Sequence, residues 1–450
     1  MSVTTKGKIS SILMMATVSR NKSIERISKS DLVQYQLKYL KETLHSALKT
    51  SFYQKRLKKS HVDSPARIKT LNDLEKISFT VKDDLRDSYP KGLLAVDMKD
   101  VVRIHTSSGT TGIPTVIYHT QNDLNHWTEL VTRSLLACGV TDDDVFQNMM
   151  TYGMFTGGLG LHYGAERLGA LVIPSSSGNT QRQLQLMKDF QTTVVHATPS
   201  YMFHLASKMK EFGFSHEELF LKKAFLGAEP YSENTRRKIE ELFKIDVYNS
   251  YGLSEMNGPG VAFECTEKNN MHLWEDQYIL EIIDPKTGRQ LPDGEEGELV
   301  LTTLRRSATP LLRYRTRDLT TVLAEPCPCG RTHRRISRIT GRTDDMMIIN
   351  GVNVFPSQIE QIIMKIPEVG NNYQICLARE GALDRLTVKV EIYSKLFAGE
   401  LSDLEKLKAR IRDMLKASII INPAVELHEP ESLPAFELKA KRVVDLREKL

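Results

Sequence analysis

From about Val101 to Leu323, short β-branched or aliphatic runs alternate with helical stretches. Residues 346–427 then read strand–helix–strand–strand–helix–strand. Together these patterns predict an α/β chain. It has a large N-terminal domain of layered sheets and helices and a small ferredoxin-like α+β C-terminal domain. Length agrees, because 450 residues exceed what one hydrophobic core usually organises.

The first twenty or so residues carry scattered Lys, Ser and Thr without periodicity and are expected to be an extension, set at 1–30. A helix follows, with Ser30 as the expected N-cap and Leu37, Leu40, Leu44 and Leu48 at three- and four-residue spacing. The runs Thr193-Val194-Val195, Ala224-Phe225-Leu226, Val247-Tyr248 and Glu298 to Leu301 read as sheet strands within a domain spanning 31–342. The polar, glycine-bearing stretch Thr340 to Asp345 reads as an interdomain hinge, so the second domain is set at 343–450. Within it, strands are expected at Met346–Ile349, Tyr373–Ala378, Leu386–Tyr393 and near Val425–Leu427. Helices are expected at Ser357–Ile366 and Leu401–Leu415.

Composition excludes several classes. Hydrophobic residues make up 40% and charged residues 26%, and the net charge of +5 is spread along the chain, so no basic stripe marks a nucleic-acid binder. No apolar run approaches the roughly eighteen residues of a membrane span, and Ile12 to Ala16 is too short even for a signal-peptide core. Five cysteines in this length do not make a disulfide framework, which points to the reducing cytoplasm.

The most informative stretch is Thr106 to Thr115. Within it Ser107, Ser108, Gly109, Thr110, Thr111 and Gly112 combine four hydroxyls with two glycines. Glycines let backbone amides approach an anion, and hydroxyls add donors without charge. Neither spacing nor lysine fits a G-x-x-x-x-G-K-[ST] loop. By composition alone, a plain surface turn is an equal alternative.

The order of these residues resembles the phosphate-binding signature of the adenylate-forming acyl-CoA synthetase superfamily, and within it the phenylacetate-CoA ligase family. The resemblance runs from about Leu32 to Leu446. It is carried also by Tyr251-Gly252-Leu253-Ser254-Glu255 with Gly258-Pro259-Gly260, by Arg313 to Asp318, by Gly341 to Asp345 and by Asn350 to Pro356. It implies that Tyr251 stacks on adenine beside Gly252, that Ser254 contacts the α-phosphate and that Glu255 holds Mg2+. Ala228, Glu229 and Pro230 match the segment on the other side of the adenine. Asp318 matches the ribose-binding carboxylate, Arg342 the arginine that reaches nucleotide, and Asp344 the hinge about which the small domain turns. Lys439, in Phe436 to Arg442, matches the lysine that neutralises charge during adenylation. Tyr152, Phe155, Thr156 and Gly157 match the acyl pocket. This chain departs from the pattern at Ile113, where the family loop usually has Lys, and at Leu438, where Gly usually precedes the lysine.

The Pro-Gly turn of Cys327-Pro328-Cys329-Gly330 presents two thiols, and Cys265 and His272 complete a Cys3His set suited to tetrahedral structural Zn2+. His333 is the alternative fourth ligand, and free buried thiols are the alternative to a metal. Cys138 and Cys376 lie in apolar patterns and are expected in the core.

Sequence and resemblance together imply an AMP-forming acid–thiol ligase. It converts phenylacetate or a related arylacetate to its CoA thioester through an acyl-adenylate, using ATP, CoA and Mg2+, with a homodimer as the candidate assembly. Two alternatives stay open. One is an adenylating enzyme for another aromatic acid or a carrier-protein acceptor. The other is a low-turnover regulator that binds nucleotide or acyl-CoA.

Overall fold

The computed structural model describes residues 24–107, 113–381, 383–393, 401–434 and 442–447. The chain forms two compact units, one of Met1–Pro174 and Tyr248–Ser337, the other of Ser175–Val247 and Arg338–Leu450.

In the first unit the helix Lys29–Ala47 starts two residues earlier than expected. Ser28, not Ser30, is its N-cap: Asp31 N–H donates to Ser28 Oγ at 3.1 Å, and Ser28 Oγ donates to the Asp31 carboxylate at 2.6 Å. The Ser-x-x-Asp pairing of side chain and first turn decides the start. Leu32, Gln36, Leu40, Thr43, Leu44 and Ala47 form its buried face.

Most of this unit's strands form one antiparallel path. It runs Tyr278–Ile283, Glu296–Thr303, Tyr314–Leu323, Arg335–Ile336, Met271–Leu273, Gly258–Phe263 and on to the end of Asp246–Leu253. Val145–Asn148 and Leu171–Ile173 pair in parallel, so a crossover must join them. The helix Thr156–Leu168 makes it. It lies close against Gln121–Ala137, because a Cβ at Gly160 would fall 2.5 Å from the Trp127 ring and one at Gly164 2.4 Å from Val131.

A buried charge cluster sits beside this packing. Arg133 donates to both oxygens of Asp276 at 2.8 and 3.0 Å and to Glu25 at 3.1 Å, and its guanidinium lies 4.4 Å from the Trp274 ring centroid. Burial alone would raise the Asp276 pKa, but Arg133 outweighs it and holds the carboxyl below its usual range.

In the second unit Val194–Ala197 and Lys223–Leu226 pair in parallel around the helix Pro199–Met209, and the helix Glu233–Phe243 follows. The C-terminal part has a four-stranded sheet in the order Ala424–His428, Leu383–Ile392, Val369–Glu380, Val443–Asp445. The helices Pro356–Ile363 and Leu401–Ile419 share a core with it, built from Ile359, Ile363, Ile411, Ile375 and Val388 among others. The expected strand at 346–349 is a hairpin arm instead: Met347–Ile349 pairs with Val352–Val354 outside that sheet. The cause is local, because Asn350 (φ 48°) and Gly351 (φ 82°) form a tight turn of a kind that both residues favour. Val443–Asp445 takes the fourth place in the sheet, parallel to Val369–Glu380.

Removing Arg133 leaves the buried Asp276 without its guanidinium partner and Glu25 with Arg331 alone. Arg133→Ala is expected to cost about 3–5 kcal/mol. By contrast Arg67→Ala, which breaks only the exposed pair with Asp63, is expected to cost under about 1 kcal/mol. Both tryptophans lie in this unit, so urea titration followed by tryptophan fluorescence compares the two directly.

Candidate functional site

The site starts from a short antiparallel pair, Val101–Thr106 with Val116–Thr120, in register Thr106↔Val116. Its connection is the hydroxyl-rich loop. Ser108, Gly109, Thr110, Thr111 and Gly112 lie outside the described residues, and Ile113 is exposed. The stem is locked. Ser107 N–H donates to Thr115 O at 3.3 Å, and the two hydroxyls meet at 2.6 Å. Thr115 is fully buried, and its hydroxyl donates to Glu255 Oε1 at 3.4 Å. A hydroxyl has one proton, so Ser107 donates to Thr115 and Thr115 to Glu255.

The acyl-pocket stretch hangs on the same stem. Thr106 N–H and His105 Nδ1 both reach Met154 O at 3.0 Å. Tyr152 lies between Asn148, which donates to its hydroxyl at 2.9 Å, and His162 Nδ1 at 3.1 Å. Burial pushes the Tyr152 phenol up to about 12. Phe155 precedes the helix Thr156–Leu168 and is 40% exposed. Its ring lies over Gly157, where a Cβ would fall 2.4 Å from it. Thr156 Oγ1 is buried, 3.2 Å from Ser254 Oγ.

Tyr251, Gly252, Ser254 and Glu255 occupy the turn from Asp246–Leu253 toward Gly258–Phe263. Gly252 is required: a Cβ there would sit 1.8 Å from the Gly258 carbonyl oxygen. The Tyr251 hydroxyl donates to Asp318 Oδ2 at 2.5 Å, so the adenine and ribose candidates hold each other. Glu255 is 4% exposed, with Lys82 Nζ 3.7 Å from its Oε1 and the buried Arg306 donating to its backbone carbonyl. The sequence reading missed Lys82, Arg306 and the bridging part of Thr115. Lys82 is one lysine among the charges of the helix Lys82–Asp87 and carries no motif.

The remaining candidates lie in the second unit. Ala228 has a left-handed φ of 65°, and Glu229 accepts from Ser200 Oγ at 2.8 Å and Ser200 N–H at 3.2 Å. Pro230 follows it. Arg342 and Asp344 form a bidentate pair at 2.9 and 3.0 Å, joining the nucleotide-reaching candidate to the hinge candidate. Lys439 and Leu438 lie outside the described residues.

The thiol cluster assembles within the first unit. One ligand atom from each of Cys265, His272, Cys327 and Cys329 lies within 4.8 Å of all the others. Cys265 and Cys327 sulfurs are 3.7 Å apart, and Cys329 Sγ is 3.3 Å from His272 Nε2. His272 Nδ1 donates to His333 O at 3.2 Å, which leaves Nε2 for a metal. His333 itself is turned away, with its Nε2 3.1 Å from Ile24 O and its Nδ1 3.8 Å from Asp276, so geometry selects His272. The hydrogen bond from Cys265 and then that from His272 hold the Cys329 thiol low, while hydrogen bonding to Cys329 and burial push Cys265 up. Cys138 is buried as expected, whereas Cys376 is only half-buried.

Comparison with known proteins places this geometry. The profile described as AMP-binding enzyme matches residues 26–304, and that of the AMP-binding enzyme C-terminal domain matches 351–447. Phenylacetate-coenzyme A ligase of Thermus thermophilus is 48% identical, covering 88% of this chain and 92% of its own. The Escherichia coli enzyme of the same name is 44% identical over 96% and 99%. Among solved structures, 2-hydroxyisobutyryl-CoA ligase in the postadenylation state superposes with TM-score 0.88 at 27% identity, covering 94% of this chain and 91% of that one. The same ligase in its thioesterification state, bound to an acyl-AMP and CoA, gives 0.69 at 28% identity over 94% and 92%.

Gly252 tests the turn. Gly252→Ala must displace the Gly258 carbonyl and, with it, Ser254 and Glu255. The variant is expected to lose most of the thermal stabilisation that ATP and Mg2+ give the wild-type protein, read by scanning fluorimetry with and without nucleotide. Retention of the full ATP-dependent shift would place the nucleotide elsewhere.

Proposed function

The chain belongs to the AMP-binding enzyme family, in its phenylacetate-CoA ligase branch, and from that premise we propose that it joins an arylacetate, phenylacetate first, to CoA at the expense of ATP. The observation that carries the site assignment is the hydrogen-bonded path through the first unit. It runs from Ser107 to Thr115 and Glu255, and a second contact ties Ser254 to Thr156 in the acyl segment. The stem of the phosphate loop, the metal carboxylate and the acyl segment are thereby linked in one frame, as a reaction between a carboxylate and an α-phosphate requires.

In this reading Tyr251 stacks on adenine. Asp318, fixed in orientation by the Tyr251 hydroxyl, accepts the ribose hydroxyls, and Ala228 to Pro230 keep the adenine-side role that the resemblance assigns them. Ser254 donates to the α-phosphate. Mg2+ accompanying ATP would neutralise phosphate charge, and Glu255, a buried carboxylate steadied by Thr115, is the residue that would hold it. Lys82 stands beside that carboxylate as a second cation for the phosphate tail. The acid oxygen attacks the α-phosphorus and pyrophosphate leaves, with Lys439 and Arg342 assigned to the developing charge. The CoA thiol then attacks the acyl carbon, and AMP leaves. Asp344 is assigned the hinge between the two half-reactions. We place the protein in the cytoplasm on its cysteine usage, with a homodimer as one candidate assembly.

Acid-dependent AMP release over a panel of aryl acids, with CoA or a carrier protein as acceptor, tests the reading. Phenylacetate and CoA should give the highest kcat/KM. ATP binding without AMP release would favour the regulator, and preference for a carrier protein would move the acceptor.

The acyl slot yields a sharper expectation. Phe155→Ala should weaken phenylacetate use by about 1–3 kcal/mol in kcat/KM while a bulkier aryl acid gains relative to it. The KM for ATP should stay nearly constant. Unchanged relative kcat/KM across small and large acids would remove Phe155 from the slot.

For the thiol cluster we propose structural Zn2+. Bonds of about 2.3 Å in a tetrahedron place two sulfurs roughly 3.8 Å apart, and the 3.7 Å between Cys265 and Cys327 fits that edge. About one zinc per chain is expected in well-dialysed protein. Cys327→Ser should lower both metal content and Tm, whereas Cys138→Ser should leave metal content unchanged. Metal analysis that finds no zinc while all thiols react in the folded protein rejects the site.

A further inference from the structure

Glu360 lies in the helix Pro356–Ile363, on the C-terminal side of the hinge candidate, and is 7% exposed. Its carboxylate reaches across the second unit to the start of the helix Glu233–Phe243. Oε1 accepts from Ser232 N–H at 3.3 Å, from Ser232 Oγ at 3.1 Å and from Thr235 Oγ1. These partners stand 128 and 125 residues earlier in the chain. They belong to the span matched by the AMP-binding profile, whereas Glu360 belongs to the span matched by the C-terminal one.

Ser232 also caps its own helix, so the carboxylate adds its charge where the helix end is positive. On the same helix Lys238 donates to Val369 O at 3.2 Å, and its charge faces Glu360. Such a carboxylate is expensive to bury and is tolerated only while these donors are in place. Ser232 stands two residues beyond Pro230, so the same contact pins the end of the Ala228–Pro230 segment.

We propose that Glu360 is a positioning residue: it holds the C-terminal segment on the Ser232–Thr235 turn for adenylate formation and releases it for thioester formation. The inference rests on the ligase reading above. Its other support is that one related ligase superposes at 0.88 in its postadenylation state and at 0.69 in its thioesterification state, so chains of this kind adopt two arrangements. A buried contact formed in one arrangement biases the balance between them by its own strength. It also couples that balance to the order of the adenine-lining segment.

Glu360→Ala, Glu360→Gln and Thr235→Val in the full-length protein test this. Glu360→Ala should lower phenylacetate-dependent pyrophosphate exchange about tenfold or more, the scale of lost charge-assisted hydrogen bonds. Thioester formation from supplied phenylacetyl-adenylate and CoA should stay within about twofold. Glu360→Gln, which keeps an acceptor oxygen, should recover much of the exchange, and Thr235→Val should show a smaller version of the same split. Amide hydrogen exchange gives a readout without turnover: Ser232 and the first turn of its helix should lose protection in Glu360→Ala, while the helix Gln121–Ala137 keeps it. Equal loss in both half-reactions, or unchanged protection at Ser232, overturns the proposal. Wild-type protein that releases no AMP with any aryl acid overturns the ligase reading instead. Should Glu360→Ala not fold, Glu360→Gln and Thr235→Val decide by the same criteria.

Discussion

The first unit depends on how closely two backbones pass at Gly252. The Gly258 carbonyl lies where any side chain at Gly252 would have to be, and the chain reverses within six residues. That reversal sets the direction of everything attached to it. Tyr251 turns toward Asp318, Ser254 toward Thr156, and Glu255 toward the phosphate-loop stem. Gly258 itself sits at φ 69° against Thr156, so the helix Thr156–Leu168 and the turn are fitted to each other. Opening this approach by the width of a methyl group would shift the bonds of Tyr251, Ser254 and Glu255 together.

Around that turn, polar groups are buried in connected sets. Ser107, Thr115 and Glu255 form one directional chain, and its only carboxylate has Lys82 as a neighbour. Glu25, Arg133, Asp276 and His333 form a second set. The second set reaches the thiol cluster through the turn that carries Cys327 and Cys329. Thr332 N–H donates to Glu25 O at 2.9 Å, and Arg26 donates to Cys329 O at 3.2 Å. Residues 24–26 are therefore fastened to the C-terminal side of the cysteine turn, at Cys329 and Thr332. A metal there would stiffen the seat of residues 24–26 as well as the cysteines themselves.

The second unit uses the same device for another purpose. Glu360 is buried against a helix end where hydroxyl and amide donors converge, and burial raises its pKa against their opposing pull. Groups of this kind are stable as sets and costly when a member leaves. In the first unit that property keeps a site rigid. In the second it suits a contact with two states, because the penalty for breaking it is concentrated in a few bonds.

The amino-acid sequence determined most of the elements through short-range rules, and the reaction class through the resemblance that its ordered motifs carry. Glycine-hydroxyl loops, the spacing in Tyr251 to Glu255, the Pro-Gly cysteine turn and apolar periodicity are all local signals. Even two misplaced details were local: Asp31 moved the helix start to Ser28, and Asn350-Gly351 closed a hairpin where a sheet strand was expected. The choice of His272 over His333 was different. Both stand near the cysteines in sequence, and only the pairing of Met271–Leu273 with Arg335–Ile336 turns one ring inward and the other toward Asp276. Lys82, Arg306 and Glu360 were decided by tertiary structure alone. Each meets a partner more than about fifty residues away by chain, so no spacing rule relates them. The charges of Arg306 and Glu360 acquire meaning only where burial strips away the water that would otherwise screen them, and Lys82 matters through its buried partner Glu255.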